Sequence, residues 1–538
     1  MAATPNRRLG PLPSPMDVQG GVSLNDLDEA ARYERFDRLQ ATLPGVWKAI
    51  RQEEEAESVV VVPSVTLDRV VERSGALVQA YEERFLFLLL LLRQPRLRMI
   101  YVTSQPIAPS IIEYYLSLLP GVIPSHVHAR LSLLSVNDSS PRPLSAKLLE
   151  RPQLLRRIRK LIPDPALCHV VPYNTTTLER DIALALGIPM YGADPRLFTL
   201  GTKSGCRQLF AEEAVPHPVG AENLRSKDDL VVALRKMRAE RPDLEAAIVK
   251  LNEGVSGEGN AQIDLTGVPP SGSDNEESTL TRRIDAMTLE SRDASVEAYL
   301  AKLEERGGIV EQMLLGEVRS PSVQLRITPL GEVEILSTHD QILGGPSGQS
   351  YVGCRFPAEP AYAQQIIEPA RCIGERLARE GVLGRFALDF VVVRRDDRSW
   401  DAYAIELNLR KGGTTHPFLT LQFLTDGSFD AETGAYKTPN GVSKYLVATD
   451  HMESPVLRAL AIDDVFDIVI RRGLHFDQAR QTGVVFHMIS SITECGQLGI
   501  TAIADSPGDA DANYQAAERI MLAEAEAAGR GIVLTPRA

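Results

Sequence analysis

Residues 385–410 read RFALDFVVVRRDDRSWDAYAIELNLR, in which two apolar runs flank a charged turn. Successive side chains of a β-strand point to opposite faces, so this pattern predicts a hairpin with one apolar face and one polar face. We expect a two-residue turn at Asp397 and Arg398. The cross-strand partners that this turn sets are Asp389 with Glu406, Ala387 with Asn408 and Arg385 with Arg410.

The polar face of the predicted hairpin carries Asp389, Glu406 and Asn408. Two carboxylates and an amide oxygen are hard ligands of the kind that Mg²⁺ uses together with nucleotide phosphates. An ordinary solvent-facing sheet would carry Lys and Thr more often than Ala and Asn, so the sequence favours a metal site. The residues expected to keep this face shallow are Ala387, Ala402 and Ala404, and those expected to face the core are Phe386, Leu388, Phe390, Tyr403, Ile405, Leu407 and Leu409.

A glycine-rich turn, NEGVSGEGN at residues 252–260, follows a predicted strand that carries Lys250. Glycines leave backbone N–H groups free to wrap phosphate oxygens, because no Cβ blocks the approach. Lys250 would add a positive charge, and Lys203 at the start of an earlier helix is a second candidate cation. Glycine-rich hairpins without a ligand and solvated helix-start lysines are both common, so these elements are weak individually. The candidate loop residues are Gly254, Ser256, Gly257 and Gly259.

Composition excludes several classes of protein. The 538 residues carry 58 Lys and Arg against 71 Asp and Glu, a formal net charge of −13, so no overall positive field attracts nucleic acid or an anionic membrane. The longest apolar run, residues 85–92, is far shorter than the ~20 residues needed to cross a bilayer. The first residues lack the apolar stretch of a secretory signal and read as a disordered leader. We expect a cytoplasmic protein with no nucleic-acid or membrane partner.

Between residues 28 and 195, short aliphatic or β-branched runs alternate with segments of helical length, which predicts βαβ order and a parallel sheet. No G-x-G-x-x-G follows any of these strands, so a structural or substrate-docking Rossmann-like layer is favoured over a dinucleotide site. The five cysteines are scattered and form no C-x-x-C pair, which predicts reduced, mostly structural thiols. The fold class that these patterns predict is a multidomain α/β protein.

Taken in order over about residues 190–425, these elements resemble the ATP-grasp superfamily of carboxylate–amine ligases. The segments HDQILGG (339–345), RKGGTTHP (410–417) and GVVFHM (483–488) look more specifically like the peptide ligases of the pheganomycin type. The resemblance implies a Rossmann-like pre-ATP-grasp domain, a two-lobed ATP-grasp core and a C-terminal αβ domain. The implied boundaries are 1–27 for the leader, 28–195 for the pre-ATP-grasp domain, 196–266 for the small lobe, 267–430 for the large lobe with a mobile insertion near 267–280, and 431–538 for the C-terminal domain.

The resemblance also implies cofactors and roles. ATP and Mg²⁺ are the expected cofactors, with Lys203 and Lys250 on the ATP phosphates. A cation next to the metal face would stabilise the transferred phosphate or the acyl oxyanion. The implied adenine residues are Glu311, Gln312 and Leu314, the ribose residue is Glu317, the metal ligands are Asp389, Glu406 and Asn408, and the candidate catalytic cations are Arg410 and Arg326.

The function expected from these residues is ATP-dependent ligation of a carboxylic acid to an amine or peptide, through an acyl-phosphate intermediate, in natural-product biosynthesis. A ligase that uses a thiol or bicarbonate, and a non-catalytic ATP sensor, are the alternatives. The sequence leaves open a homodimer and the identity of both substrates. It also leaves open whether His339, His416 or His487 takes part in chemistry, and a structural role is favoured for each.

Overall fold

The computed structural model describes residues 24–52, 57–65, 75–119, 121–254, 259–290, 294–345, 348 and 350–530. Most of the predicted leader lies outside these residues, as do Ser256 and Gly257 of the glycine-rich turn. Within the described ranges, no helix combines the length and the apolar character required to cross a bilayer.

The first part of the chain forms a four-stranded sheet in which every neighbouring pair is parallel, as the βαβ pattern predicts. Its strands, in spatial order, are Leu131–Ser135, Arg98–Thr103, Ser58–Val62 and Cys168–Pro172. The α-helices of this part are Glu29–Gln40, Leu43–Gln52, Gly75–Glu83, Pro109–Ser117, Pro124–His128, Leu144–Leu149, Pro152–Leu161 and Thr177–Leu186, and the 3₁₀ segments are Leu24–Asp26, Arg84–Arg93, Pro165–Leu167 and Pro195–Gly201.

The second part is a five-stranded sheet with helices packed on it. Its spatial strand order is Gly220–Leu224, Gly308–Gln312, Ala246–Leu251, Asn260–Asp264 and Thr288–Leu289. Its helices are Lys203–Glu212, Lys227–Glu240, Glu276–Asp285 and Val296–Arg306. Neighbouring strands are antiparallel throughout, and an apolar layer of mainly Leu, Ile and Val side chains joins the sheet to the last three of these helices. The apolar side of Lys203–Glu212 packs into the core of the large sheet.

The third part is a nine-stranded sheet. Its spatial order is Val318–Arg319, Gly384–Arg394, Pro321–Ile327, Val333–Gly344, Ser350–Phe356, Tyr445–Glu453, Gln497–Ala504 and Gly483–His487, with Trp400–Asn408 also paired to Gly384–Arg394. A small hairpin, Ser428–Asp430 with Ala435–Lys437, stands apart. The helices are Pro360–Arg379, Thr415–Thr425, Ile462–Arg472, Ile492–Cys495 and Pro507–Gly529, with 3₁₀ segments Pro455–Ala459 and Ile489–Ser491.

The proposed boundary at residue 431 falls inside this continuous sheet. The strand Tyr445–Glu453 pairs with Ser350–Phe356, with Cys354 opposite Ala448. The apolar segment Arg84–Arg93 packs into the same core as the C-terminal strands, where Phe85 and Leu89 are buried. The first sheet and the end of the chain therefore share one apolar core.

The hairpin pairs its polar residues as predicted, although its loop is longer than predicted and one strand contains a bulge. Asp389 lies opposite Glu406 and Ala387 opposite Asn408, as expected. The predicted two-residue turn is wrong, because Arg395 N–H donates to Ser399 O at 2.8 Å and closes a three-residue loop with Arg398 at φ +69°. Ile405 is an extra, unpaired residue, and this bulge offsets the longer loop.

The bulge also changes which side chains face the core. Ala404 is buried in the core and Ala402 packs against it, so neither shapes the polar face, whereas Ile405 lines the cavity. The predicted pairing of Arg385 with Arg410 is wrong because the second strand ends at Asn408, and Arg385 pairs with Arg326 instead.

The predicted mobile insertion contains regular structure. Residues 267–275 form turns, and a helix begins at Glu276. The carboxylate of Glu276 is buried, pairs with Arg238 and accepts from Gly272 N–H at 2.8 Å. These contacts tie the segment to the helix Lys227–Glu240.

Candidate functional site

A cavity of about 410 Å³ lies where the three sheets meet. Its lining includes Lys203, Lys250 and Gly254 from the second part of the chain, together with Asp389, Glu406 and Asn408 of the hairpin. Pockets for small molecules have this size and are formed by a few convergent polar groups on apolar walls. Residues that are far apart in the sequence are thus brought to one site.

The hairpin supplies the acidic end of the cavity. Gln341 Nε2 donates to one oxygen of Asp389 at 2.8 Å, and Asn408 Nδ2 donates to the other at 3.0 Å. The Lys203 ammonium forms an ion pair with Glu406. A cation is therefore already bound to this carboxylate pair, and the oxygen-rich donor set fits a divalent cation such as Mg²⁺.

The two facing carboxyl groups differ in their acidity. Burial raises the pKa of Asp389 to about 7, and the charge of Glu406 adds to the increase. Burial acts in the same direction on Glu406, yet Lys203, Arg410 and Lys250 together hold the pKa of Glu406 below its usual value. The ion pair therefore keeps Glu406 charged, while Asp389 takes up a proton more readily.

The two lysines are positioned by the start of a helix and the end of a strand. Lys203 begins the helix Lys203–Glu212, and Ser204 donates from both its N–H and its hydroxyl to the Asn252 side chain, which follows the strand of Lys250. Lys250 Nζ lies 2.5 Å from a Glu311 oxygen, and Arg207 Nη1 donates to the other oxygen at 2.9 Å. Both lysines are buried, and each is paired with an acidic side chain.

The ends of the glycine-rich turn need glycine for a packing reason. A Cβ on Gly259 would lie 3.2 Å from Gly254 Cα, a tight contact that a larger residue could make only if the facing backbone moved by a few tenths of an ångström. Gly254 lines the cavity, as does Asn260 at the start of the next strand. The phosphate role of the turn stays a prediction, and Ser256 and Gly257 are outside the described residues.

The predicted adenine and ribose residues lie on or just after the strand Gly308–Gln312. The Glu311 carboxylate is occupied by Lys250 and Arg207, and its strand is paired on both edges, with Gly220 on one side and Ile248 on the other. Gln312 N–H donates to Val219 O at 2.8 Å, Leu314 is half-buried, and exposed Glu317 pairs with Arg394. Among the described residues, the lining of the cavity includes none of these four.

The two candidate arginines have different surroundings. Arg410 lines the cavity, and its Nη1 donates to Lys411 O at 3.1 Å. Arg326 pairs with Glu334, and its guanidinium lies 5.2 Å from the centre of the Trp47 ring. Arg326 connects the N-terminal helices to the large sheet and is not among the described residues that line the cavity, so its catalytic role stays a prediction.

The far end of the cavity contains residues that the motifs did not identify. Arg84 pairs with Asp450, and its guanidinium carbon lies 4.8 Å from the Tyr81 ring centre and 5.5 Å from that of Tyr173. These residues and Tyr351 line the cavity. Tyr81, Arg84 and Tyr173 belong to the first part of the chain, and Tyr351 and Asp450 belong to strands of the third, so no local sequence pattern could have linked them.

The three histidines in question are buried, in two separate places. His339 Nε2 lies 2.9 Å from Ser337 Oγ and 3.3 Å from Gln324 Nε2. His416 and His487 lie against each other and against Asp450. Cys354 is fully buried, and burial raises the pKa of its thiol to about 12, which argues against a nucleophilic role.

The central and C-terminal parts of the chain are similar to known families. The family described as IQCH-like, ATP-grasp matches residues 196–283 and 280–432, and the family described as PGM1 C-terminal domain matches residues 464–517. The chain is 29% identical over 448 residues to L-propargylglycine–L-glutamate ligase of Streptantibioticus cattleyicolor, covering 82% of this chain and 89% of that protein. It is 22% identical over 448 residues to IQ motif-containing protein H of Danio rerio, covering 74% of this chain and 42% of that protein.

Solved structures with the same fold include a biotin carboxylase from Campylobacter jejuni in complex with β-γ-ATP. The TM-score is 0.50 at 12% identity, covering 88% of this chain and 96% of that one. The biotin carboxylase domain of the Hydrogenobacter thermophilus 2-oxoglutarate carboxylase also gives 0.50, at 11% identity, covering 86% and 89%. At these identities the likeness concerns the fold, and it confirms the predicted α/β class.

Proposed function

This chain belongs to the ATP-grasp superfamily, and from that premise we propose that it is an ATP-dependent carboxylate–amine ligase. Its product would be an amide or peptide bond, with ADP and phosphate released. The observation that carries the proposal is the convergence of Lys203, Lys250, Asp389, Glu406 and Asn408 on one cavity. Two buried ammonium groups facing two carboxylates and an amide match the opposite charges of a nucleotide phosphate and its divalent cation.

The relatives support this proposal. The Streptantibioticus protein is named for joining two amino acids, and its similarity extends over most of both chains. The Campylobacter structure contains an ATP analogue, and the Hydrogenobacter structure contains ADP with magnesium and bicarbonate. We therefore assign ATP and Mg²⁺ to this cavity and infer that both substrates are small molecules, with an amino acid or short peptide as the amine.

Each group of residues would have a distinct task. ATP would supply its terminal phosphoryl group to the substrate carboxylate, giving an acyl phosphate that the amine can attack. Lys203 and Lys250 would hold phosphate oxygens, and Asp389, Glu406 and Asn408 would hold Mg²⁺. Arg410, on the cavity wall beside them, would stabilise negative charge that develops on the acyl oxygen.

The lysines must exchange partners for this to happen. In the structure Lys203 is paired with Glu406 and Lys250 with Glu311. A phosphate that binds both lysines would release Glu406 to its metal role. The preformed pairs keep these long side chains ordered before the ligand arrives, which reduces the entropy lost on binding.

The cavity end with Arg84 and the tyrosines would hold the substrates. It contains a guanidinium and aromatic faces within one connected space, and the guanidinium is paired with the Asp450 carboxylate. An amino acid carries a carboxylate and a side chain, and these two groups match a guanidinium and aromatic faces. We infer that at least one substrate is an amino acid.

The proposal is tested by incubating the protein with ATP, Mg²⁺, hydroxylamine and each of the common amino acids. Hydroxamate and ADP should form with the acid that the site accepts, because hydroxylamine intercepts an acyl phosphate. Glu406→Gln in the same assay is the control for contaminating activity. AMP and pyrophosphate as products would contradict the acyl-phosphate route, and nucleotide binding without turnover on any acid, amine, thiol or bicarbonate would favour a sensor.

A further inference from the structure

Three buried side chains form a cluster that the ligase chemistry does not use. His416 lies at the start of the helix Thr415–Thr425, Asp450 lies on the strand Tyr445–Glu453, and His487 ends the strand Gly483–His487. Each is at most 4% exposed. We refer to these three residues as the His–Asp–His cluster.

The three facing atoms of the cluster form a nearly equilateral triangle. His416 Nε2 lies 2.9 Å from His487 Nε2 and 3.0 Å from Asp450 Oδ1, and His487 Nε2 lies 2.8 Å from the same oxygen. Each atom is thus within hydrogen-bond distance of both others. Two imidazole nitrogens and one carboxylate oxygen are a common set of ligands for Zn²⁺.

Hydrogen bonds alone do not satisfy this triangle. Each Nε2 carries at most one proton. If both nitrogens donate to Asp450, two N–H groups face each other at 2.9 Å, and if one donates to the other, a nitrogen lone pair faces the carboxylate. One of the three contacts is therefore repulsive in either tautomer. A cation bound by all three lone pairs removes the conflict.

The surroundings hold the ligand atoms in place. A side chain at Gly499, opposite His487 on the adjacent strand, would overlap the imidazole ring, so glycine leaves the space that the ring occupies. Arg84 pairs with the second oxygen of Asp450, which directs Oδ1 at the histidines. Contacts of this kind from outside the ligand set orient the ligands of metal sites.

We propose that His416, Asp450 and His487 bind a Zn²⁺ ion. Zinc ligands lie ~2.0–2.2 Å from the ion, and a tetrahedral site separates them by ~3.3 Å, so the triangle would open by a few tenths of an ångström. The three residues leave a fourth position open. Zn²⁺ and the Arg84 guanidinium are positive, and Asp450 is the one negatively charged ligand. An anion is therefore the fourth ligand that best balances the charge.

The metal can be tested without nucleotide, so the result does not depend on the proposed ligase activity. The full chain is purified with chelator, then titrated with Zn²⁺ by calorimetry and with Co²⁺ by visible absorption. We expect one equivalent of each ion and the intense Co²⁺ bands of four-coordinate geometry. The wild-type protein alone decides this point, so misfolded variants cannot obscure it.

Variants then assign the site. Asp450→Asn and His416→Phe should each weaken Zn²⁺ binding by ~100-fold or more, because each removes a ligand. His339→Phe is the matched control, since it replaces a buried histidine outside the cluster and should bind Zn²⁺ as the wild type does. No Zn²⁺ bound by the wild type, six-coordinate Co²⁺ bands, or equal affinity in all variants would overturn the proposal.

Discussion

The Lys203 ammonium forms an ion pair with Glu406, so a residue assigned to phosphate and a residue assigned to metal neutralise each other. Lys203 is buried in this pair. The pair joins the helix Lys203–Glu212 to the hairpin of the large sheet, and it would have to open when nucleotide and metal bind. The contribution of this pair to the stability of the protein can therefore be separated experimentally from its contribution to turnover.

Glu406→Gln should lower turnover and thermal stability together, because it removes a metal ligand and leaves a buried ammonium without its counterion. We expect Mg²⁺-dependent turnover to fall by ~100-fold or more and unfolding to become easier by roughly 1–3 kcal/mol. Lys203→Met/Glu406→Gln should recover most of the Tm, measured by scanning fluorimetry, without recovering turnover. Normal activity of Glu406→Gln at ordinary Mg²⁺ concentrations would show that this face does not bind the metal.

Lys250→Met should weaken ATP binding by ~10- to 100-fold, since one charge-assisted hydrogen bond to phosphate is lost. Calorimetry with ATP measures the change. Lys236→Ala is the control, because it removes an exposed lysine from the helix Lys227–Glu240 of the same lobe. If both variants bind ATP alike, the 250 side chain is not a phosphate ligand.

Arg410→Met should reduce turnover by ~100-fold, because Arg410 lines the cavity and would stabilise the acyl oxyanion. Arg326→Met removes the same charge from a position where the guanidinium contacts Trp47 and Glu334. We expect it to lower the Tm while its turnover stays within ~2-fold of the wild type. Steady-state ADP release measures the turnover of both variants. A larger loss of turnover in Arg326→Met than in Arg410→Met would favour Arg326 as the catalytic cation.

Lys411 should make stability depend on pH. Burial lowers its pKa to about 7, with Arg385 adding to the shift, and its Nζ lies 2.5 Å from Pro172 O. Between about pH 7 and 10 the unfolded chain binds this proton and the folded chain does not, so the free energy of unfolding rises with pH. The Tm of the wild type should therefore increase relative to Lys411→Met as the pH is raised over this interval. An unchanged Tm difference would mean that folded Lys411 keeps its proton.

Local sequence patterns were sufficient to predict strands in which apolar and polar residues alternate. The alternation around Asp389 and Glu406 gave the correct facing residues, although the loop was one residue longer and Ile405 formed a bulge. The longer loop and the bulge shift the cross-strand register in opposite directions. The predicted pairing is therefore correct at Asp389 and Glu406, but it is shifted by one residue between Ile405 and the loop. Ala404 was accordingly assigned to the wrong face.

Long-range geometry accounts for what the patterns missed. His416 and His487 could be noticed singly, but Asp450 has no motif, and the cluster exists because a helix and two strands meet. Arg84 directly precedes the apolar run 85–92, and the structure turns it toward Asp450. Arg326 looked available for catalysis because its partner Trp47 lies far away in the sequence.

The pairing of Ser350–Phe356 with Tyr445–Glu453 limits how this protein can be divided. A chain ending before residue 445 would expose an unpaired strand edge and the apolar surface beneath it, and such edges recruit other chains. A chimaera with a relative should therefore fold only if the segment taken from the relative supplies a strand that pairs with Ser350–Phe356 in the same register, with a residue in the place of Ala448 opposite Cys354. Any division of the chain therefore has to keep the C-terminal strands together with the large sheet that they complete.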